Sequence, residues 1–316
     1  VCYQEEVRDP SRIAEVLNRV IEKAIRGSAP AQINVPRDFW TQVIDIKLPQ
    51  IVRFERPAGG TAAITEAAKL LSNAKFSVIL SGAGVVIGGA IPDCVALAER
   101  LDAPVCNGYQ HNDSFPGSHP LAAGPLGYNG SKAAMELIKK ADVVLALGTR
   151  LNPFSTLPGY GIDYWPEDAS IIQVDINSDR IGLTKSVTVG ICGDAKLVAQ
   201  QILKQLSSTA GDAGREERKA LIHQTKSAWL QTLTSLDHED DDPGTTWNAE
   251  SRERDPDFMS PRLAWRAIQA ALPKDAIISS DIGNNCAIGN AYPTFEEGRK
   301  YLAPGLFGPC GYGFPS

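Results

Sequence analysis

Two asparagines stand behind a glycine in Asp281-Ile282-Gly283-Asn284-Asn285, at the end of an apolar run that begins at Asp275. Amides and backbone N–H groups delivered together at a strand end can converge on an anion. Further on, residues 303–315 are dense in glycine around Gly308 and Cys310, and glycine lets a backbone approach a ligand closely.

Other residues invite chemical readings that compete with structural ones. Ser81-Gly82-Ala83-Gly84-Val85-Val86-Ile87-Gly88-Gly89 follows an apolar run, as a phosphate-binding turn does. Ile87 stands where a GxGxxG pattern places its third glycine, so the preferred reading is a tight strand-to-helix turn, with a nucleotide site as the alternative. Asp175 closes another apolar run and reads as a helix cap in preference to a ribose acceptor. His111 and His119 share a loop with Asn112 and Asp113; no compact third-ligand spacing accompanies them, so hydrogen bonding within the loop is expected instead of a metal. His223 and His238 lie in polar sequence and read as solvated. The acidic run at residues 238–242 is an unbroken block, whereas hard cations want carboxylates spread around a turn; it reads as surface linker.

The elements that must position these groups follow a regular rhythm. Helical periodicity falls at residues 64–73, 92–101, 131–140 and 194–206. Apolar runs fall at residues 76–80, 103–106, 142–150, 170–175 and 187–191. Alternation of this kind predicts an α/β fold, a doubly wound parallel sheet over residues 61–206. Before it, residues 1–45 offer one helix, with Asp9 as N-cap, Pro10 at its first position and Gly27 as stop, and a short strand at residues 31–36. That is too little to bury a core alone. Residues 207–257 read as a linker, and residues 258–316 as the start of a further domain, with a helix from Ser260-Pro261 to Leu272 and a buried strand at residues 275–281.

Composition excludes some classes. A net charge of −6 with scattered basic residues argues against nucleic acid. No apolar run reaches the ~18 residues of a membrane span, and no signal peptide is visible. The six cysteines form no CxxC pair and mostly sit in apolar or glycine-rich runs, which predicts buried free thiols in a reducing cytoplasm. The chain starts at Val1 without a methionine and stops inside GLFGPCGYGFPS, so a fragment of a longer polypeptide is expected.

HNDSFPGSHPLAAGPLGYNGS, followed by ADVVLALGTRLNPFSTLPGYGIDYWP, resembles the central domain of thiamine-diphosphate-dependent enzymes of the acetolactate-synthase type. HNDSFPGSHPL with GYGIDYWP is the more particular part, and resembles the branch that converts sulfoacetaldehyde and phosphate to acetyl phosphate and sulfite. The resemblance implies thiamine diphosphate and Mg²⁺ as cofactors, small-molecule substrates, no membrane partner and a homo-oligomer when full length. It further implies that residues 1–45 end a pyrimidine-binding domain and residues 258–316 begin a diphosphate-binding domain. Gly283, Asn284 and Asn285 would then face the diphosphate, and Gly308 would offer a carbonyl to the pyrimidine amine. Cys310 would take the propping position that a bulkier apolar residue usually fills; a buried turn thiol is the alternative. The glutamate that activates the cofactor and the Mg²⁺-binding run are expected outside this chain, which alone should not turn over. Another enzyme of the superfamily, such as an acetolactate synthase or a 2-oxoacid decarboxylase, and a nucleotide-binding module are the competing functions.

Overall fold

The computed structural model describes residues 1–50, 55–212, 214–237, 261–305 and 308–314, in two units, Val1–Arg56 and Pro57–Ser316. The acidic run with His238, the stretch 243–260 and residues 306–307 and 315–316 of the glycine-rich segment lie outside the described residues.

In the first unit, strands β1 (Tyr3–Glu6) and β2 (Ala31–Asn34) pair in parallel across helix α1 (Ile13–Gly27). Asp9 accepts from the Ser11 N–H at 2.9 Å, but it caps a 3-10 turn, Pro10–Arg12, that leads into α1. Val16 and Val20 are buried, while Leu17 and Ile21 on the same apolar stripe are exposed. Gly27 is the last helical residue and not the stop: Ser28 takes the left-handed turn at φ 45°. A side chain at Gly27 would press on the Cys2 Sγ at 3.2 Å.

The second unit is built on six parallel strands: β3 (Ser77–Ser81), β4 (Val105–Asn107), β5 (Ala122–Pro125), β6 (Val143–Leu147), β7 (Ser170–Asp175) and β8 (Val189–Cys192). Their order, β5-β4-β3-β6-β7-β8, reverses direction between β3 and β6, which is the doubly wound arrangement. Both central strands are buried along their whole length, as continuous apolar runs covered on two faces require. The covering helices are α2 (Thr61–Asn73), α3 (Ala83–Gly88), α4 (Ile91–Leu101), α5 (Lys132–Ile138) and α7 (Ala195–Gln205); a short turn of helix, α6 (Pro153–Thr156), lies between β6 and β7. Ser131 and Asp194 cap α5 and α7 through their side-chain oxygens.

Three sequence expectations are corrected. Residues 122–125, outside every apolar run expected to form a strand, are edge strand β5; Gly124 at φ 95°, Pro125 and a register shift beside Val105 break the strand pattern. The expected linker holds a 23-residue helix, α8 (Arg215–Asp237), packed on α5. Its apolar stripe is weak, and polar contacts anchor its start: Asp102 meets Arg215 at 2.8 Å, and Arg218 donates to the Lys75 carbonyl at 3.1 Å. The expected buried strand at residues 275–281 shrinks to β9 (Ile278–Ser279), which among the described residues pairs with β10 (Tyr301–Leu302) alone, and Ile277 is exposed. Helix α9 (Pro261–Ala271) precedes β9 and α10 (Asn284–Ala291) follows it.

Candidate functional site

Residues 281–285 turn sharply out of β9. Gly283 sits at φ 79°, ψ −141°, a conformation that L side chains rarely adopt, and it is the N-cap of α10 without any side-chain cap bond. The first N–H groups of α10, which have no partner within the helix, lie beside the exposed side chains of Asn284 and Asn285.

Asp281 organises this end. Its carboxylate accepts the Ile282 N–H at 2.8 Å and the Gly311 N–H at 2.9 Å. These bonds, with further ones from Tyr312 and Gly313, hold its carboxyl below the usual aspartate range. Gly313 lies so close that a side chain on it would stand 3.1 Å from the Asp281 backbone nitrogen. Gly308, at φ 53°, lies over Ile282. One carboxylate thus joins the segment carrying Gly283, Asn284 and Asn285 to the turn carrying Gly308 and Cys310. Cys310 is exposed, not a buried turn thiol.

Helix α10 is gripped from the side by the loop after β4. The Gln110 N–H donates to the Asn290 Oδ1 at 2.8 Å, and the Asn290 amide donates to the Tyr128 carbonyl at 3.0 Å. Asn112 donates to the carbonyls of Asn290 at 2.9 Å and Pro293 at 3.0 Å. Tyr109 Oη lies 3.1 Å from the Cys286 Sγ, and the Gln110 side-chain amide donates to the same sulfur. Asp113 accepts the Lys300 N–H at 3.1 Å; burial nonetheless pushes its carboxyl up. The HND sequence, weighed earlier as a metal site, is a bracket. Asn112 and Asp113 were visible as a motif, whereas Asn290, one amide in a short apolar helix, carried no sequence signal.

Residues 64–202 match the family described as thiamine pyrophosphate enzyme, central domain. Over these residues the chain is similar to the central domain of thiamine pyrophosphate enzymes. Across all 316 aligned residues the chain is 82% identical to a probable sulfoacetaldehyde acetyltransferase of Rhizobium meliloti, covering 100% of this chain and 54% of that protein. It is 79% identical to a sulfoacetaldehyde acetyltransferase of Roseovarius nubinhibens, covering 100% of this chain and 52% of that protein. A probable acetolactate synthase large subunit of Methanocaldococcus jannaschii is more distant, at 31% identity over 98% of this chain and 51% of that protein. The chain spans about half the length of the curated relatives it matches. The crystal structure of benzoylformate decarboxylase from Polynucleobacter necessarius superposes with a TM-score of 0.69 at 18% identity, covering 96% of this chain and 51% of that one; the likeness is one of fold.

Within the matched residues 64–202, the glycine loop after β3 is spent on packing. The Gly82 and Gly84 N–H groups donate to the Leu147 and Gly148 carbonyls at 3.1 and 2.8 Å. A side chain on Gly84 would stand 2.6 Å from the Gly148 Cα. Donors already committed across the switch point cannot cradle a phosphate, so the tight turn is the reading that fits. Asp175 accepts the Asn177 N–H at 2.9 Å in a turn at the strand end; the cap expected of it falls to Asn177, which accepts the Asp179 N–H at 2.9 Å at the start of the next 3-10 turn. His119 Nδ1 accepts the Leu121 N–H at 3.1 Å, and its ring stands edge-on to Phe115, so it serves its own loop. Burial and the charge of Arg150 push His111 down to about 4. His223 is exposed. Among the described residues no group of three or more His, Cys, Asp and Glu gathers to hold a metal. All six cysteines are free; Cys94, Cys106 and Cys286 are buried, but Cys2, Cys192 and Cys310 are exposed, against the expectation of mostly buried thiols. No helix among the described residues is long and apolar enough to cross a membrane.

Proposed function

We propose that these residues belong to a thiamine-diphosphate-dependent acetyltransferase that converts sulfoacetaldehyde and phosphate to acetyl phosphate and sulfite. The observation that carries this reading is the 82% identity, over the whole chain, to a protein of that name. The geometry at α10 is suited to the cofactor: an uncapped helix N-terminus beside two exposed amides is a natural place for a diphosphate.

When bound, thiamine diphosphate supplies a nucleophilic carbon and an electron sink for loss of sulfite. The chain's own residues bind and orient. Gly283 aims the first N–H groups of α10, while Asn284 and Asn285 add side-chain donors. Gly308 would offer its carbonyl to the pyrimidine amine, and Cys310 would pack against the cofactor from the turn. Sulfur is polarizable and fills space adequately there. Asp281 keeps the turn against the strand end, and the Asn112–Asn290 bracket keeps α10 from tilting. Mg²⁺, small-molecule substrates, a homo-oligomeric assembly, a cytoplasmic location and a place in sulfonate or taurine degradation belong to the same proposal through the resembled family. The flanking assignments do too, with residues 1–45 as the end of a pyrimidine-binding domain and residues 258–316 as the start of a diphosphate-binding domain.

The test is product analysis on the full-length protein with thiamine diphosphate and Mg²⁺. Phosphate-dependent release of sulfite from sulfoacetaldehyde, with acetyl phosphate formed in equal amount, is expected. Release of CO₂ from pyruvate with acetolactate formed, and no sulfite, would place the chain with the acetolactate synthases instead.

A further inference from the structure

Helix α8 crosses α5 and, with the end of α4 and the segment entering β5, lines a half-open cavity of about 860 Å³. That is the size range of small-molecule sites. Its walls are apolar, Leu121, Ala123 and Ala133 facing Ile222, Trp229 and Leu233. The polar groups at its edge are unevenly matched. Asp102 is held by Arg215 at 2.8 Å and by Lys219 at 3.9 Å, and Glu99 faces His119 at 3.5 Å. Lys226 differs: its Nζ donates to the Pro120 carbonyl at 2.7 Å and meets no carboxylate among the described residues. An ammonium has three donors, so two remain for whatever enters. Burial lowers the Lys226 pKa, as expected for a cation short of counter-charge.

An apolar cavity with one cation in its wall that no carboxylate among the described residues meets has a definite complement. We infer that this cavity binds an amphipathic monoanion, a free carboxylate or sulfonate carrying an alkyl or aromatic body. The acid group meets Lys226, and the body lies between Trp229 and Leu121. The site is independent of the proposed reaction, since none of its residues belongs to the α10 end.

Decanesulfonate, below its micellar concentration, is titrated into the full-length protein by calorimetry. Decanol is the neutral control and Trp229 fluorescence a second signal. Saturable binding of the sulfonate, tighter than that of decanol, is expected. Lys226→Met should weaken it about 10- to 100-fold, the worth of a charge-assisted hydrogen bond. Leu230→Glu is a second variant, at a lining residue 60% exposed where folding is not at stake; it sets a like charge at the mouth and should weaken the sulfonate while sparing decanol. Trp229→Phe should abolish the fluorescence change and keep the binding heat. Equal affinity for decanol, or an unchanged constant in both Lys226→Met and Leu230→Glu, overturns the proposal. So does binding of phosphatidylglycerol vesicles without any response to the free sulfonate, which would mark a lipid surface.

Discussion

The Gln110 N–H and the Asn290 side-chain oxygen meet at 2.8 Å across 180 positions of sequence, and that bond holds Gln110 in a left-handed conformation at φ 62°. Asn290 is fully buried and uses both ends of its amide. Asn290→Leu should therefore strand the Gln110 N–H and the Tyr128 carbonyl. Gln110 is buried, and an orphaned N–H there costs about 1–3 kcal/mol, whereas Tyr128 is exposed and its carbonyl can turn to water; a loss of roughly 1–3 kcal/mol is expected. Denaturant unfolding of the full-length protein measures it. An unchanged midpoint would mean that the bracket does not hold α10.

Asn285→Leu should act oppositely, on the cofactor and not on the fold. Gly283 is the N-cap, and Asn285 is exposed with no cap bond of its own, so stability should move by less than about 0.5 kcal/mol. Loss of a hydrogen bond to a charged group should weaken thiamine diphosphate about 10- to 150-fold. Calorimetric titration beside a thermal melt separates the two. A lowered melting temperature with unchanged cofactor affinity would make Asn285 a structural residue.

Two glycines close in sequence should respond differently. Gly84→Val drives a side chain into the Gly148 backbone, 2.6 Å away from the first carbon, and should cost about 1–3 kcal/mol by overpacking. Gly89 has nothing within 4 Å of its missing side chain, and its φ of 64° alone opposes substitution. Gly89→Asn should be nearly silent, because asparagine tolerates that conformation. Equal losses in the two variants would contradict the close approach of the β3 and β6 loops.

Acid should weaken the fold through His111. Its folded-state pKa is lowered to about 4 from the ordinary 6.5, so below pH 6.5 the unfolded chain binds a proton that the folded one refuses. Stability is whole above that pH, falls as pH drops toward 4 and levels off below. The loss from this group amounts to roughly 2–3 kcal/mol. His111→Asn should flatten that part of the profile between pH 6.5 and 4, read from melts across the window. An unaltered slope would show that the imidazole is solvated.

The sequence by itself determined the doubly wound core. Its strands are unbroken apolar runs and its helices carry one-sided stripes, both local patterns that require burial on fixed faces. It also brought Gly283, Asn284 and Asn285 to a strand end, because apolar run, glycine and amides follow one another directly. Tertiary structure decided what depends on partners far along the chain. Helix α8 is ordered by Asp102 and by the Lys75 carbonyl, contacts that its own weak stripe does not announce. Edge strand β5 exists because β4 offers it a partner, despite a glycine and a proline. The turn at Gly308 and Cys310 is tied to the strand end by Asp281, 30 positions from Gly311. The glycines after β3 looked like a phosphate cradle in one dimension; in three their N–H groups are taken by β6 and its loop. Local periodicity settles which face of an element is buried, whereas a hydrogen bond between distant residues becomes legible only once the backbone has brought donor and acceptor within 3 Å.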